Sequence, residues 1–115
     1  MSEFAGYQHL FLDRDGVINR RIMDGYVRNW EEFEFLPGVL EAMVTLARHF
    51  TPICIVTNQQ GVGKGLMHPR DLTNIHRLLT LGVERAGGRI DDIFACTELA
   101  IKPNNCRKPA PTLAL

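Results

Sequence analysis

The sequence predicts one α/β domain built on a parallel sheet, and three observations support this fold class. Three short apolar runs at 9–13, 52–57 and 92–96 have the length and composition of strands buried on both faces. Two segments with helical periodicity lie between these runs. The chain has 115 residues, which rules out a second full domain and places residues 1–115 in a single one. Alternation of strand and helix favours right-handed crossovers between parallel strands.

A long connection follows the first strand. Residues 14–36 separate this strand from the first helix, whereas such loops usually have about 2–6 residues. The connection contains an alternating aromatic stretch of Trp30, Phe33 and Phe35, so we expect a small hairpin or flap there. Long loops at this end of a strand usually carry function.

Each helical segment has one apolar face and recognisable ends. Pro37-Gly38 opens the first helix, Pro69 fits the first turn of the second, and Gly87-Gly88 fits its end. The apolar face of the first helix contains Val39, Leu40, Met43, Leu46, Ala47 and Phe50. The apolar face of the second contains Leu72, Ile75, Leu79, Val83 and Ala86.

Composition excludes several classes of protein. Thirteen Lys and Arg residues balance thirteen Asp and Glu residues, which disfavours a general nucleic-acid binder because affinity for phosphate backbones needs a basic excess. No apolar stretch approaches the ~18 residues of a membrane-spanning helix, and the first residues do not resemble a signal peptide. The three cysteines are odd in number and form no disulfide framework, so we expect a reducing, cytoplasmic compartment.

Polar residues with catalytic chemistry follow the predicted strands. Asp13 and Asp15 come after the first strand, Thr57 and Asn58 end the second, and Lys108 follows the third by a loop. Ligands of open α/β sheets bind outside the carboxyl ends of the strands, so we expect these side chains on one rim.

These residue types suit phosphoryl chemistry. One carboxylate of the Asp13 and Asp15 pair can act as a nucleophile while the other exchanges protons with the leaving group and with water. Thr57 and the backbone amides after it can hold phosphoryl oxygens, and Lys108 can neutralise a phosphate. Carboxylates beside a phosphate also predict Mg²⁺, a hard cation that prefers oxygen ligands.

Two other phosphate-linked folds fit poorly. A P-loop needs a glycine at position 58 and a hydroxyl residue after Lys64, but Asn58 and Gly65 stand there. A two-component receiver domain places its acceptor aspartate at the end of the third strand, where Cys96 stands.

The motifs resemble those of a known superfamily. Segments 11–19 (FLDRDGVIN), 56–61 (VTNQQG) and 106–109 (CRKP) are similar to motifs one to three of the haloacid dehalogenase (HAD) superfamily. More narrowly, they resemble the histidinol-phosphate and D-glycero-D-manno-heptose-1,7-bisphosphate phosphatases, with further similarity at 25–27 and 35–39. The resemblance spans essentially the whole chain. It implies a Rossmann-like three-layer core with a parallel sheet, of the capless branch that acts on small soluble phosphates.

The resemblance also implies a role for each matching residue. Asp13 is expected to be the nucleophile that becomes phosphorylated and a Mg²⁺ ligand. Asp15 is expected to be the general acid and base, with its backbone carbonyl on the metal. Thr57 is expected to bind the transferred phosphoryl group, with Asn58 in support.

In the third motif, the resemblance makes Lys108 the motif lysine and Arg107 a substrate contact. Many relatives carry a zinc loop just before this motif, but only Cys96 and Cys106 of its four ligands are present here. Structural zinc prefers four Cys or His ligands, so zinc is disfavoured and both cysteines are expected to be ordinary thiols.

The last residue of the sequence, Leu115, follows Lys108 by seven positions, whereas the family continues to a fourth strand and an acidic fourth motif. The resemblance therefore predicts a C-terminally truncated domain that lacks those strands. Three explanations stay open at this point: a truncated gene product, a partner chain that completes the sheet, or a continuation of the protein beyond Leu115. Without the fourth strand, the first strand lies on an open sheet edge, through which a homodimer can form.

The function expected from sequence is Mg²⁺-dependent hydrolysis of a small sugar phosphate through an aspartyl-phosphate intermediate. The favoured substrate is D-glycero-D-manno-heptose 1,7-bisphosphate, because Arg20, Arg21, Lys64 and Arg107 suit a doubly charged sugar phosphate. The alternatives are a histidinol-phosphate phosphatase and a non-catalytic remnant that binds phosphate or metal without turnover.

Overall fold

The computed structural model describes residues 8–98 of the chain, which form a parallel sheet with helices packed on it. Strands β1 (Leu10–Leu12), β2 (Ile53–Asn58) and β3 (Asp92–Cys96) lie in the order β1-β2-β3. Leu10 pairs with Ile53, and Cys54 pairs with Asp92, both in parallel ladders. The α/β class and all three predicted strands are confirmed.

Three α-helices and one 3-10 helix connect the strands. The 3-10 helix is Trp30–Glu32, and the α-helices are α1 (Val39–His49), α2 (Gln60–Gly63) and α3 (Pro69–Arg85). Helices α1 and α3 are the two predicted from periodicity. The short helix α2 was not predicted, since residues 61–65 were interpreted as a glycine-rich loop.

The helix ends follow from local chemistry. Gly38 precedes α1 with φ of 82°, a left-handed conformation that glycine adopts without strain. At the start of α3, His68 Nδ1 accepts from the amide of Arg70, and Asp71 Oδ2 accepts from the amide of His68. Pro69 occupies the first turn of α3, where a missing N–H costs no hydrogen bond.

The core lies between the sheet and the two long helices. Met43 of α1 and Ile75 of α3 are at most 1% exposed and belong to one cluster with Ile53 and Ile55 of β2. On the opposite face of the sheet, the ring of Phe11 remains 50% exposed. Among residues 8–98, the structure therefore shows the sheet and one helical layer, with β1 at a sheet edge.

The connection between β1 and α1 folds back on itself, as predicted. The amide of Arg20 donates to Glu34, and the amide of Leu36 donates to Ile18, so two stretches run antiparallel. Trp30 stacks on Phe33 with ring centroids 4.9 Å apart. This flap closes over one end of the sheet without forming a separate cap domain within residues 8–98.

Several predictions fall at the margins of this region. Cys96 is disulfide-bonded, so the expectation of an ordinary thiol is wrong at this position. Cys106, Arg107 and Lys108 lie outside the described residues.

Across residues 8–98, every helix is too short or too polar to cross a membrane. The cytoplasmic location stays a prediction.

Candidate functional site

A polar cleft of about 540 Å³ opens at the carboxyl ends of β1 and β2. The four predicted site residues in the described part of the chain, Asp13, Asp15, Thr57 and Asn58, all line it. They converge because β1 and β2 are parallel neighbours, which places their last residues at the same edge of the sheet. The flap supplies the facing wall.

A tight turn after β1 presents the two acids. The carbonyl of Arg14 accepts from the amides of Val17 at 3.1 Å and Ile18 at 2.7 Å. Gly16 turns the chain with φ of 86°, a value that side-chain-bearing residues rarely adopt. This turn exposes Asp13, buries Arg14 completely and leaves Asp15 half-buried at the cleft.

The carboxylate of Asp15 is held by four hydrogen bonds. Arg14 donates to Oδ1 from Nη2 at 2.8 Å and Nε at 3.2 Å, and Asn19 donates to the same oxygen at 2.9 Å. Gln59 Nε2 donates to Oδ2 at 2.8 Å. Burial alone would raise the pKa of Asp15, but the Arg14 charge and these hydrogen bonds together outweigh it, so the pKa lies below its ordinary value.

Gln59 joins this carboxylate to the phosphate-binding candidate on β2. Its Nε2 also donates to Thr57 Oγ1 at 2.8 Å, and both side chains are almost fully buried. The Thr57 hydroxyl accepts this bond and keeps its own proton to donate. Asp15 and Thr57 are thus parts of one hydrogen-bonded unit.

Two cations and an aromatic ring lie at the cleft mouth. Lys64 Nζ sits 5.3 Å from the centroid of the Tyr26 ring, and Arg21 lines the same space. The Tyr26 ring packs closely against the backbone at Gly61, where an added Cβ would lie 3.2 Å from the ring. Arg20, also predicted near the rim, instead pairs with Glu34 at 3.2 Å on the surface.

The cleft offers oxygen ligands rather than a soft-metal site. Within residues 8–98, no three His, Cys, Asp or Glu residues cluster in a geometry suited to a metal ion. Asp13 and Asp15 are the predicted ligands, and only Asp13 presents a carboxylate that is exposed. This donor set fits Mg²⁺, which is commonly bound through one or two protein oxygens together with substrate phosphate and water.

Sequence reasoning missed three residues of the site. Asn19 and Gln59 stand inside the motifs, but no role was assigned to them. His76, which contacts Arg14 from α3, gave no signal at all, because it lies 62 residues away on a helix face. The burial of Arg14 would have indicated that its guanidinium needs a partner such as His76. Burial, however, cannot be seen in a single sequence.

Known proteins similar to this chain point in one direction. No protein-family model matches it. It is 47% identical over 116 residues to D-glycero-alpha-D-manno-heptose-1,7-bisphosphate 7-phosphatase of Mycobacterium tuberculosis (strain ATCC 25618 / H37Rv). That match covers 100% of this chain and 61% of the relative, so the chain spans about three fifths of the length of the curated relatives it matches.

The solved structures that this chain resembles are also phosphatases. D,D-heptose 1,7-bisphosphate phosphatase from B. bronchiseptica, complexed with magnesium and phosphate, superposes with a TM-score of 0.86 at 34% identity, over 93% of this chain and 59% of that one. A protein from Mesorhizobium loti described as a HAD-like phosphatase superposes with a TM-score of 0.79 at 28% identity, over 92% of this chain and 53% of that one.

Proposed function

We propose that this chain is a HAD-like phosphatase that hydrolyses a phosphomonoester with Mg²⁺, its substrate being D-glycero-D-manno-heptose 1,7-bisphosphate and its product the 1-phosphate. The observation that carries the proposal is the cleft itself, where Asp13, Asp15 and Thr57 line one surface. The names of the relatives support the sugar, and the Mg²⁺ and phosphate of the B. bronchiseptica structure support the cofactor.

In the first step Asp13 is the nucleophile. One of its carboxylate oxygens attacks phosphorus in line, so a bond from Asp13 to phosphorus forms as the bond to the leaving oxygen breaks. Asp15 gives its proton to that leaving oxygen. Thr57 and Asn58 hold the transferred phosphoryl group, and Lys108 and Arg107 are assigned to phosphate and substrate.

In the second step Asp15 accepts a proton from water. The oxygen of that water attacks phosphorus, which releases inorganic phosphate and restores the carboxylate of Asp13. Asp13 and the Asp15 backbone carbonyl would hold Mg²⁺, which would supply positive charge that offsets the phosphate dianion. The Asp15 carboxylate is engaged by protein donors, which leaves its carbonyl as the ligand.

The low pKa of Asp15 is compatible with its acid role. An arriving phosphate dianion places negative charge beside the carboxylate, and a like charge disfavours ionisation. To act as the acid, Asp15 must therefore take up a proton before the leaving oxygen departs. In the free protein the same carboxylate stays ionised and ordered.

Phosphate release by the purified 115-residue chain tests the proposal. We expect release from heptose 1,7-bisphosphate, as either anomer, to exceed release from histidinol phosphate and an aryl phosphate, and to stop in EDTA. Asp13→Asn should abolish turnover. Asp24→Asn is the matched control, because Asp24 lines the same cleft at φ of 57°, a conformation that Asn tolerates.

A second candidate is binding of phosphate or metal without turnover. It is favoured by the absence of a third metal-ligating side chain beside Asp13 and Asp15 among residues 8–98. A folded chain that binds phosphate with Mg²⁺ but releases none from all three esters would establish this candidate. Preference for histidinol phosphate would instead reassign the substrate.

The proposal includes self-association. β1 lies at the edge of the three-stranded sheet formed by residues 8–98, and an exposed edge can pair with a second copy. Residues 1–115 would then act as one domain in each copy. Light scattering should give the mass of a dimer, and a strictly monomeric mass would count against edge pairing.

A further inference from the structure

Arg14 is a buried cation at the floor of the site. It is 0% exposed, and its guanidinium carbon lies 5.9 Å from the centroid of the Phe33 ring. Two of its nitrogens donate to the same oxygen of Asp15. A buried charge is tolerated only when it is paired and hydrogen-bonded, so each contact of Arg14 constrains where its guanidinium lies.

A further contact comes from α3. Arg14 Nη1 lies 3.0 Å from His76 Nε2. A guanidinium has donors only, so Nε2 must accept and the ring proton must sit on Nδ1. Burial, followed by the charge of Arg14, lowers the pKa of His76 to about 4, which keeps the ring a neutral acceptor near neutral pH.

Helix α3 is a rigid support for this acceptor. It has 17 residues, and Ile75 and Leu79 on either side of His76 are 0% exposed in the core. The ring therefore stands at a fixed distance from the sheet. His76 is not among the residues that line the cleft, so it reaches a bound ligand only through Arg14.

We propose that His76 is a positioning residue for the proposed phosphatase reaction, fixing the guanidinium of Arg14, which in turn holds the carboxylate of Asp15 at the cleft. The inference rests on the proposed function. His76 does not line the cleft, so it exchanges no proton with a substrate bound there. Through Arg14, His76 sets the orientation of the Asp15 carboxylate oxygens.

Three variants separate this role from a structural one. His76→Leu keeps an apolar body of similar bulk and removes the acceptor. His76→Gln restores an acceptor oxygen at the end of a side chain of similar reach. His49→Leu is the matched control, because His49 is exposed at the end of α1. If His76→Leu does not fold, His76→Asn takes its place, since its shorter amide does not reach Arg14.

Steady-state phosphate release is the first readout. We expect kcat to fall about tenfold in His76→Leu, as for other residues that orient a catalytic group, with KM changed less than about twofold. His76→Gln should recover most of kcat, and His49→Leu should match wild type. A normal kcat in His76→Leu, or equal losses in His76→Leu and His76→Gln, would overturn the proposal.

A second readout does not depend on turnover. The Nε–Hε signal of Arg14 in a proton–nitrogen NMR spectrum should be sharp and slow to exchange in wild type and His76→Gln, and broadened in His76→Leu. If the wild-type protein releases no phosphate, only the proposed function is contradicted. The Arg14 signal then decides whether His76 orders the guanidinium. An unchanged signal in His76→Leu would overturn the positioning role.

Discussion

Gln59 connects the two halves of the site. Its Nε2 donates to Asp15 Oδ2 and to Thr57 Oγ1, both at 2.8 Å, and its side chain is 0% exposed. The residue that orders the acid and base is thus also the residue that orders the phosphoryl-binding hydroxyl. A displacement of one is transmitted to the other through a single amide.

The first prediction concerns this amide. Gln59→Met keeps the length of the side chain and removes both hydrogen bonds, so we expect kcat to fall about tenfold and the free energy of unfolding to fall by about 1–3 kcal/mol. Kinetics and urea unfolding measure the two effects. Gln60→Met is the control, because Gln60 Nε2 has no hydrogen-bond partner among the residues that the structure describes. Equal losses in both variants would contradict the role of Gln59.

At the level of single residues, sequence predicted which side chains approach the cleft but not what holds them. Asp13, Asp15 and Thr57 line one cleft because strand ends of a parallel sheet share one edge, and their catalytic roles stay predictions. The partners of Asp15 were not, since a hydrogen bond depends on which rotamer the core permits. His76 illustrates the limit, because helix periodicity predicts which face is buried and does not identify the neighbour of a polar residue.

At the level of elements, a clasp joins α1 to β2. Arg89 donates to the carbonyls of Ala47 and Phe50 at the end of α1, and its Nε pairs with Asp91 at 3.0 Å. Asp91 Oδ2 in turn accepts from the amide of Ile53 at 2.7 Å. That backbone hydrogen bond is the main reason that the pKa of Asp91 lies below its ordinary value.

The second prediction is that Arg89→Ala destabilises the fold without affecting the site. Loss of charged hydrogen bonds to helix-end carbonyls should lower the free energy of unfolding by about 2 kcal/mol, with kcat unchanged. Urea unfolding measures this. Arg77→Ala is the control, because Arg77 is exposed and donates a hydrogen bond to Asn74 on its own helix, and it should fall within about 0.5 kcal/mol of wild type. Similar losses in the two variants would count against the clasp.

The clasp also has a pH dependence of known sign. The ionised Asp91 is favoured in the folded state, so its contribution is present above the unperturbed pKa of about 3.9. It is lost as the pH falls through the lower folded-state pKa.

Elements were predicted best where a pattern runs over several turns. Helix α3 has 17 residues with a regular apolar face, a proline in its first turn and glycine after its end, so its existence and both ends could be predicted. Helix α2 has only four residues, fewer than two turns, and its glycines are typical of a loop. Within this helix Gly61 lies close against Tyr26 and Met67, a tertiary contact that has no signal in the local sequence.

At the scale of the whole molecule, positive and negative charges balance, so anion binding depends on the charges close to the site. Thirteen basic and thirteen acidic residues give a net charge of zero, so the protein as a whole does not attract phosphate. Charged residues of both signs line the described cleft in equal number: Asp13, Asp15, Asp24, Arg14, Arg21 and Lys64. A phosphate dianion entering beside two carboxylates needs an added cation, which the proposed Mg²⁺ provides.

The third prediction follows from this balance. Phosphate alone should raise the unfolding temperature little, whereas Mg²⁺ and phosphate together should raise it strongly, because each neutralises the charge of the other. At about 100 times the dissociation constant, binding adds about 2.7 kcal/mol, a rise of roughly 10 °C for a domain of this size. Differential scanning fluorimetry measures the rise, with sodium chloride of equal ionic strength as the baseline.

Two variants assign the rise to the cleft. Asp13→Asn removes a proposed Mg²⁺ ligand, so Mg²⁺ should strengthen phosphate binding less, and the difference in unfolding temperature between phosphate alone and phosphate with Mg²⁺ should narrow. Asp24→Asn, in the same cleft, should retain the gap. A rise with Mg²⁺ and phosphate that is the same in Asp13→Asn and wild type would mean that the two ions bind elsewhere. No rise in wild type would show that the two oxygen ligands near β1 do not suffice to hold the pair.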